Sequence, residues 1–130
     1  MAVILVIDDD ADMLDLYQAF IRNMGHVPVT KMAVESGQET VREIEPDALL
    51  VDLRRPDEDE YGLRVIEELR ADPELKALPI ILCTAGAQEV RPLLQRLDLL
   101  DVPVVLKPFS TEDLERTLTA AIQQAPPPPS

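Results

Sequence analysis

The sequence VILVIDDD, residues 3–10, runs from five apolar residues straight into three aspartates. An unbroken apolar run of this length is typical of a parallel β-strand that is buried on both faces. Carboxylates crowded at the end of such a strand repel one another, and a bound cation relieves that repulsion. The stretch therefore predicts a buried parallel strand with a cation site at its carboxyl end.

Four more strand-like segments follow, and a helical pattern of apolar residues comes after each strand. The strands are predicted at residues 3–7, 27–30, 48–51, 79–83 and 102–106, and the helices within residues 13–24, 34–44, 62–69, 90–97 and 110–122. Strands that alternate with helices indicate a parallel sheet covered by helices on both faces. Because crossover connections are right-handed, the pattern predicts a doubly wound α/β fold.

Individual residues mark the ends of several helices. Gly25 predicts the end of the first helix, and Pro46 predicts the end of the second. Pro92 is placed in the first turn of the fourth helix, where a missing N–H is tolerated. Ser110 and the acidic residue three positions later resemble a capping box that starts the fifth helix. Asp10 is placed in the first turn of the first helix, where negative charge suits the helix dipole.

The composition indicates a small acidic protein. The chain has 130 residues, which suits one domain, predicted here over residues 1–125. Its 25 acidic and 12 basic residues give a net charge of −13, which argues against direct nucleic-acid binding. No apolar run is long enough to span a membrane, and the single cysteine, Cys83, has no partner for an internal disulfide. We therefore expect a cytoplasmic protein that does not bind membranes.

The chain ends in a proline-rich tail, residues 126–130, with the sequence PPPPS. Consecutive prolines favour the polyproline II conformation. The tail is compatible with a solvated end, with the start of a linker in a longer protein, and with a ligand for a proline-binding domain.

Polar side chains stand where the predicted strands end. Asp8 and Asp9 follow the first strand, Asp52 the third, Thr84 the fourth and Lys107 the fifth. The carboxyl ends of parallel strands lie at one edge of the sheet, so these carboxylates, hydroxyl and ammonium should converge there. Mg²⁺ suits such a set, because it prefers oxygen ligands and keeps positions free for phosphate oxygens. A carboxylate such as Asp52 can be the nucleophile of phosphoryl transfer, with the ammonium and the hydroxyl binding phosphoryl oxygens.

Four stretches, VIDDDADM, LLVDLRRP, ILCTAGA and VVLKPF, resemble in order and spacing the signature stretches of the response-regulator receiver domain of two-component signalling. The resemblance extends from Val3 to Ile122. It implies a flavodoxin-like, five-stranded parallel sheet of order 2-1-3-4-5 with five helices, in a receiver of the single-domain type. It also implies a phosphoacceptor signalling domain and not an enzyme that acts on separate substrates.

The same resemblance implies a Mg²⁺-dependent phosphorylation site. Asp52 is the implied phosphoacceptor, and the implied Mg²⁺ ligands are Asp8, Asp9, Asp52 and the main-chain carbonyl of Arg54. The implied phosphoryl donor is a histidine kinase or a histidine phosphotransfer protein. A downstream protein partner would bind the face formed by the fourth helix, the fifth strand and the fifth helix.

The switch residues match the family only in part. Thr84 and Lys107 match its phosphate-binding and switch positions, and a cis peptide bond is implied before Pro108. The family often has an aromatic switch residue three positions before the lysine, and here that position holds Val104. The loop after Pro56 is also longer and more acidic than is usual in the family. Because position 104 is not aromatic, the motion that accompanies a movement of Thr84 must be smaller than is usual in the family or must involve other residues.

Other functions fit the sequence less well. A receiver-like protein-binding module that no longer uses phosphorylation is the main alternative, favoured by Val104 and the acidic loop but opposed by the complete set of site residues. A Mg²⁺-dependent phosphatase of the haloacid-dehalogenase-like class has a second acid two residues after its nucleophile, where this chain has Arg54. A flavin carrier of similar fold needs a hydroxyl-rich loop after its first strand, where these aspartates would repel the flavin phosphate.

Overall fold

Five parallel strands form one sheet in the computed structural model, which describes residues 1–124. The strands are β1 (Val3–Ile7), β2 (Val27–Lys31), β3 (Ala48–Val51), β4 (Ile80–Thr84) and β5 (Val104–Leu106). Their order across the sheet is β2-β1-β3-β4-β5, which confirms the expected order 2-1-3-4-5. The proline-rich tail predicted at residues 126–130 lies outside the described residues.

Helices cover both faces of the sheet. They are α1 (Ala11–Asn23), α2 (Gly37–Ile44), α3 (Tyr61–Ala71), α4 (Ala87–Val90), α5 (Leu94–Leu99) and α6 (Thr111–Gln123). Helices α4 and α5 stand where a single fourth helix is predicted, and a 3-10 turn at Arg91–Leu93 separates them. Pro92 lies inside this turn, so its missing N–H interrupts the helical hydrogen bonds. The fourth helix therefore starts earlier than predicted and is divided at the proline.

The sheet separates the core into two layers, because side chains alternate between the two faces of each strand. On one face, Leu5 and Ile7 pack with apolar residues of α2, α3 and the segment 87–99. On the other face, Ile4 and Val6 pack with apolar residues of α1 and α6. This arrangement confirms the doubly wound fold.

Two prolines explain why β4 and β5 begin later than their apolar runs. Pro79 and Pro103 each accept a hydrogen bond through the carbonyl, from the N–H groups of Leu49 and Leu82, at 2.9 and 3.0 Å. Proline has no N–H to donate to a neighbouring strand, so the regular pairing starts after it. The strand predicted at residues 79–83 also ends one residue too early, because Thr84 is the last residue of β4.

Capping interactions fix the ends of the helices. Asp10 lies before the first turn of α1 and not within it, and its Oδ1 accepts hydrogen bonds from the N–H groups of Asp12 and Met13 at 3.0 and 3.3 Å. These bonds satisfy donors that the start of a helix leaves free. Ser110 caps α6 in the same way, through a 3.0 Å bond from an N–H of the first turn. Gly25 ends α1 as predicted, at a φ of 87° that favours glycine.

Candidate functional site

Backbone pairing brings the ends of four strands to the same edge of the sheet. The N–H of Asp52 donates to the carbonyl of Ile7 at 3.2 Å, which aligns the ends of β3 and β1. The N–H of Lys107 donates to the carbonyl of Thr84 at 2.8 Å, which aligns the ends of β5 and β4. The predicted site residues therefore leave their strands side by side.

Three carboxylates meet at this edge. Asp8, Asp9 and Asp52 each place a carboxylate oxygen within 4.8 Å of the other two. Asp8 is buried, and its Oδ1 accepts a hydrogen bond from the N–H of Asp10 at 2.9 Å, while the other two residues are partly exposed. Mg²⁺ binds hard oxygen donors of this kind, and a dication would offset their mutual repulsion. The donor set fits a divalent cation.

A largely buried ammonium lies against the carboxylates. The Nζ atom of Lys107 is 2.7 Å from Oδ2 of Asp8 and 3.2 Å from Oδ2 of Asp52. Burial raises the pKa of Asp52 above its ordinary value, an effect that the charge of Lys107 opposes and the charge of Asp8 strengthens. Burial acts to lower the pKa of Lys107, but its hydrogen bond to Asp8 and the charges of both carboxylates raise it overall. Lys107 is therefore held as an ammonium, and Asp52 is protonated more easily than a free aspartate.

The structure also places the other three positions that the sequence singled out, which are Thr84, Pro108 and Val104. Thr84 is only 1% exposed, and its Oγ1 accepts a hydrogen bond from the N–H of Gly86 at 3.1 Å. The peptide bond between Lys107 and Pro108 is cis, the isomer that the resemblance implied. Val104 is half-buried and packs against the apolar core on the α3 side of the sheet. The hydroxyl of Thr84 is thus engaged with the turn that follows β4.

An open cleft of about 380 Å³ lies at this edge. It is lined by Asp9, Asp52, Arg54, Arg55, Pro56, Thr84, Ala85, Gly86 and Glu89. Within it, Nη1 of Arg54 lies 3.1 Å from Oε1 of Glu89. The cleft gives a small anion access from solvent to the Asp52 carboxylate.

A family model described as the response regulator receiver domain matches residues 4–119 of the chain. The chain belongs to this family. The match includes β2 to β5, all of β1 except Val3, and every site residue predicted from the sequence. Receiver domains are signalling modules of two-component systems. Within residues 1–124, no helix of this receiver domain is both long enough and apolar enough to cross a membrane.

Known proteins resemble this receiver domain over most of its length. The "Probable transcriptional regulator ycf27" of Guillardia theta is 29% identical over 121 residues, which cover 93% of this chain and 45% of that protein. The chain spans about half the length of the curated relatives of this kind. The receiver domain of the sensor histidine kinase PA1611 from Pseudomonas aeruginosa, solved with a magnesium ion coordinated in its active-site cleft, is 28% identical, with a TM-score of 0.73 and coverage of 95% and 98%. The response regulator TrrA from Thermotoga maritima, solved in complex with Mg²⁺-BeF, is 27% identical, with a TM-score of 0.73 and coverage of 93% and 99%.

Three further residues shape the site through contacts that the sequence does not predict. A Cβ atom on Gly62 would lie 2.3 Å from the carbonyl oxygen of Asp52, so only glycine lets the start of α3 approach the end of β3 this closely. The buried hydroxyl of Tyr61 donates to the carbonyl of Val34 and accepts from its N–H, each at 3.1 Å, which anchors the end of the acidic loop. Glu89 enters the cleft from α4. These contacts join distant parts of the chain, and no local pattern reports them.

Proposed function

We propose that this receiver domain accepts a phosphoryl group on Asp52, in a Mg²⁺-dependent reaction, from a histidine kinase or a histidine phosphotransfer protein. The observation that carries the proposal is the placement of the Asp52 carboxylate, which has an oxygen within 4.8 Å of oxygens of Asp8 and Asp9 and its Oδ2 atom 3.2 Å from Nζ of Lys107. Phosphoryl transfer depends mainly on positioning and on neutralisation of charge. The Asp52 carboxylate lies between a cation site and an ammonium, so it is held in position and the charge around it is neutralised.

The chemical step exchanges one bond to phosphorus for another. A carboxylate oxygen of Asp52 forms a bond to phosphorus while the bond between phosphorus and the donor's imidazole nitrogen breaks. The electron pair of that bond returns to the imidazole nitrogen, and the ring, protonated at its other nitrogen, leaves as neutral imidazole. Lys107 would bind an oxygen of the transferred phosphoryl group, and its ammonium would then interact less with the Asp52 carboxylate.

The proposed Mg²⁺ ligands are the carboxylates of Asp8, Asp9 and Asp52 and the main-chain carbonyl of Arg54. The ion supplies charge neutralisation at the phosphoryl oxygens. Two related receivers support a Mg²⁺ site in this cleft, since PA1611 was solved with magnesium in its active-site cleft and TrrA with Mg²⁺-BeF.

Signalling would begin at Thr84, whose hydroxyl must leave the N–H of Gly86 to reach a phosphoryl oxygen. The turn that it holds leads into α4 and lies beside β5, so the change would reach the face formed by α4, α5, β5 and α6. That face exposes Leu94 and Leu106, which are 45% and 47% exposed. We expect a protein and not nucleic acid to bind there, because the net charge is −13.

Intact-protein mass spectrometry tests the proposed phosphorylation. The protein is mixed with Mg²⁺ and acetyl phosphate at neutral pH, beside Asp52→Asn and the control Asp57→Asn, which removes an exposed carboxylate of the following loop. We expect one phosphoryl group on the wild type and on the control, but none on Asp52→Asn or after chelation of Mg²⁺. Phosphorylated Asp52→Asn would contradict the proposal, and so would a wild type that neither gains phosphate nor binds beryllofluoride.

A protein-binding module that does not use phosphorylation is the second candidate, favoured by Val104, which gives Thr84 no aromatic partner. This candidate predicts that neither wild type nor Asp52→Asn binds beryllofluoride and that both capture the same partners equally well. Use of the two proteins as bait, each with and without beryllofluoride, separates the candidates.

A further inference from the structure

An ion pair lies in the cleft next to Asp52. Arg54 follows Asp52 by two residues, in the loop between β3 and α3, and its Nη1 donates to Oε1 of Glu89 at 3.1 Å. Because Glu89 belongs to α4, the pair joins the loop after β3 to the helix after β4. Both side chains are 48% exposed. Exposed ion pairs of this kind contribute little to stability, so a stronger ligand can displace one partner.

Glu89 also contacts the turn that engages Thr84. A Cβ atom on Gly86 would lie 2.7 Å from Oε2 of Glu89, so the carboxylate lies directly over this glycine. The N–H of Gly86 donates to Thr84, and its carbonyl accepts from Val90 at 2.9 Å. No side chain caps the start of α4. The turn and the start of α4 are therefore held by Thr84 from one side and by the Arg54–Glu89 pair from the other.

We propose that Arg54 is a switch residue whose guanidinium leaves Glu89 and binds phosphoryl oxygens when Asp52 is phosphorylated, which releases the start of α4. The inference rests on the proposed function. A phosphoryl group brings a charge of about −2 at neutral pH and three acceptor oxygens, whereas the carboxylate of Glu89 brings a single charge. The planar guanidinium binds such oxygens in pairs. Glu89 is thus the competitor that occupies Arg54 in the unphosphorylated state.

This exchange supplies the partner motion for Thr84 that Val104 cannot provide. Thr84 and Arg54 both line the cleft that would receive the phosphoryl group. Each also restrains the same turn, through Gly86 and Glu89 respectively. One ligand would recruit both side chains and remove both restraints, so the two movements would be coupled without an aromatic ring.

A double-mutant cycle on beryllofluoride binding tests the exchange. Wild type, Glu89→Gln, Arg54→Gln and the double variant are titrated with beryllofluoride in the presence of Mg²⁺, and fluorine NMR reports the bound fraction. We expect Glu89→Gln to bind about 1.4- to 5-fold more tightly than wild type, a range set by the strength of exposed ion pairs. We expect Arg54→Gln to bind more weakly, and the gain from Glu89→Gln to shrink by more than half in the Arg54→Gln background. A smaller reduction would refute competition for Arg54, because the gain would then reflect only the lost negative charge.

Asp59→Asn is the matched control for charge. Asp59 lies 3.9 Å from Nη2 of Arg54, but it is 87% exposed and does not line the cleft. Its loss removes the same charge without freeing Arg54 from Glu89, so the affinity for beryllofluoride should stay at the wild-type value. A gain equal to that of Glu89→Gln would refute the specific role of Glu89.

Amide hydrogen exchange tests the restraint on α4 directly. Without any ligand, Glu89→Gln and Arg54→Gln should each speed exchange in residues 85–90, because each variant breaks the same contact. Unchanged exchange in both variants would refute the restraint.

The two proposals fail in different ways. If wild type does not bind beryllofluoride, or Asp52→Asn binds it equally well, both proposals are wrong. If binding requires Asp52 but the cycle is additive, only the exchange at Arg54 is wrong.

Discussion

Replacement of Asp52 by asparagine should make the metal-free protein more stable. A carboxylate oxygen of Asp52 lies within 4.8 Å of oxygens of Asp8 and Asp9. Burial penalises the charged carboxylate most, and each neighbouring aspartate within 4.8 Å adds at least about 3.5 kcal/mol of repulsion at an effective dielectric constant of about 20, or about 7 kcal/mol together. The ammonium of Lys107 at 3.2 Å offsets about 5 kcal/mol of this penalty. Asparagine keeps the shape and can still accept a hydrogen bond from Lys107. After allowance for the partial exposure of Asp9, we expect the free energy of unfolding to rise by about 1–2 kcal/mol at neutral pH.

The pH dependence of this gain follows from the raised pKa of Asp52. Because burial raises that pKa in the folded state, the folded protein binds the proton more tightly than the unfolded chain does. The stability of wild type relative to Asp52→Asn should therefore fall as the pH rises from about 4, the pKa of a free aspartate, through the folded-state pKa. The advantage of the variant should be small in acid, where neither state is ionised at this position, and complete at neutral pH.

Thermal unfolding in a chelating buffer, followed by circular dichroism, measures the effect. The expected difference corresponds to about 3–10 °C in Tm for a domain of this size. Asp57→Asn is the control, because its carboxylate is 76% exposed, and it should leave the Tm unchanged. Added Mg²⁺ should stabilise wild type more than Asp52→Asn and so narrow the difference. A wild type that is the more stable protein without metal, or a difference that does not change with pH, would refute the reasoning.

Three further predictions concern other parts of the domain. Arg70→Lys should lower the free energy of unfolding by about 1–3 kcal/mol, because the guanidinium of Arg70 donates hydrogen bonds to four main-chain carbonyls and one ammonium cannot make all of these bonds. Urea denaturation measures the change, with the exposed Arg116→Lys as control. Gly62→Ala should lower both the Tm and the affinity for Mg²⁺, measured by calorimetry, because its Cβ would meet the carbonyl oxygen of Asp52 at 2.3 Å. Cys83 should resist iodoacetamide at mildly alkaline pH until urea unfolds the protein, as followed by mass, because burial raises the pKa of its thiol to about 12. Unchanged stability in Arg70→Lys, normal Mg²⁺ binding in Gly62→Ala, or rapid alkylation of the folded protein would contradict the corresponding argument.

The residues that meet at the carboxyl edge could be predicted from the sequence because each one stands at the end of a strand. Asp8 and Asp52 directly follow buried apolar runs, and Lys107 directly follows the apolar residues of β5. In a parallel sheet this position alone brings the side chains together, without knowledge of any other contact. An error of one residue in the predicted end of a strand changes the predicted site little. Thr84 was predicted to follow β4 but is its last residue, and it still lines the cleft.

Features that depend on distant packing could not be predicted in this way. A proline near the start of a helix can begin it or divide it, and the local pattern around Pro92 is compatible with both. In the structure Pro92 divides the helix, and Val90 and Leu93 on either side of it are both buried in the core. The contact between Arg54 and Glu89 joins residues 35 positions apart. A sequence pattern reports which residues are polar, but it does not report which of them face each other across a cleft.

The divided fourth helix is well suited to carry a signal from this cleft. Helix α4 has four residues and no side-chain cap, so few internal hydrogen bonds oppose its rearrangement. Its restraints come instead from outside, through the burial of Val90 and the pair of Arg54 with Glu89. Loss of that pair would leave α4 anchored mainly at Val90, next to the turn that contains Pro92. Motion about this turn would move α4 relative to the exposed Leu94 of α5, and so would change the surface at which we propose that a protein partner binds.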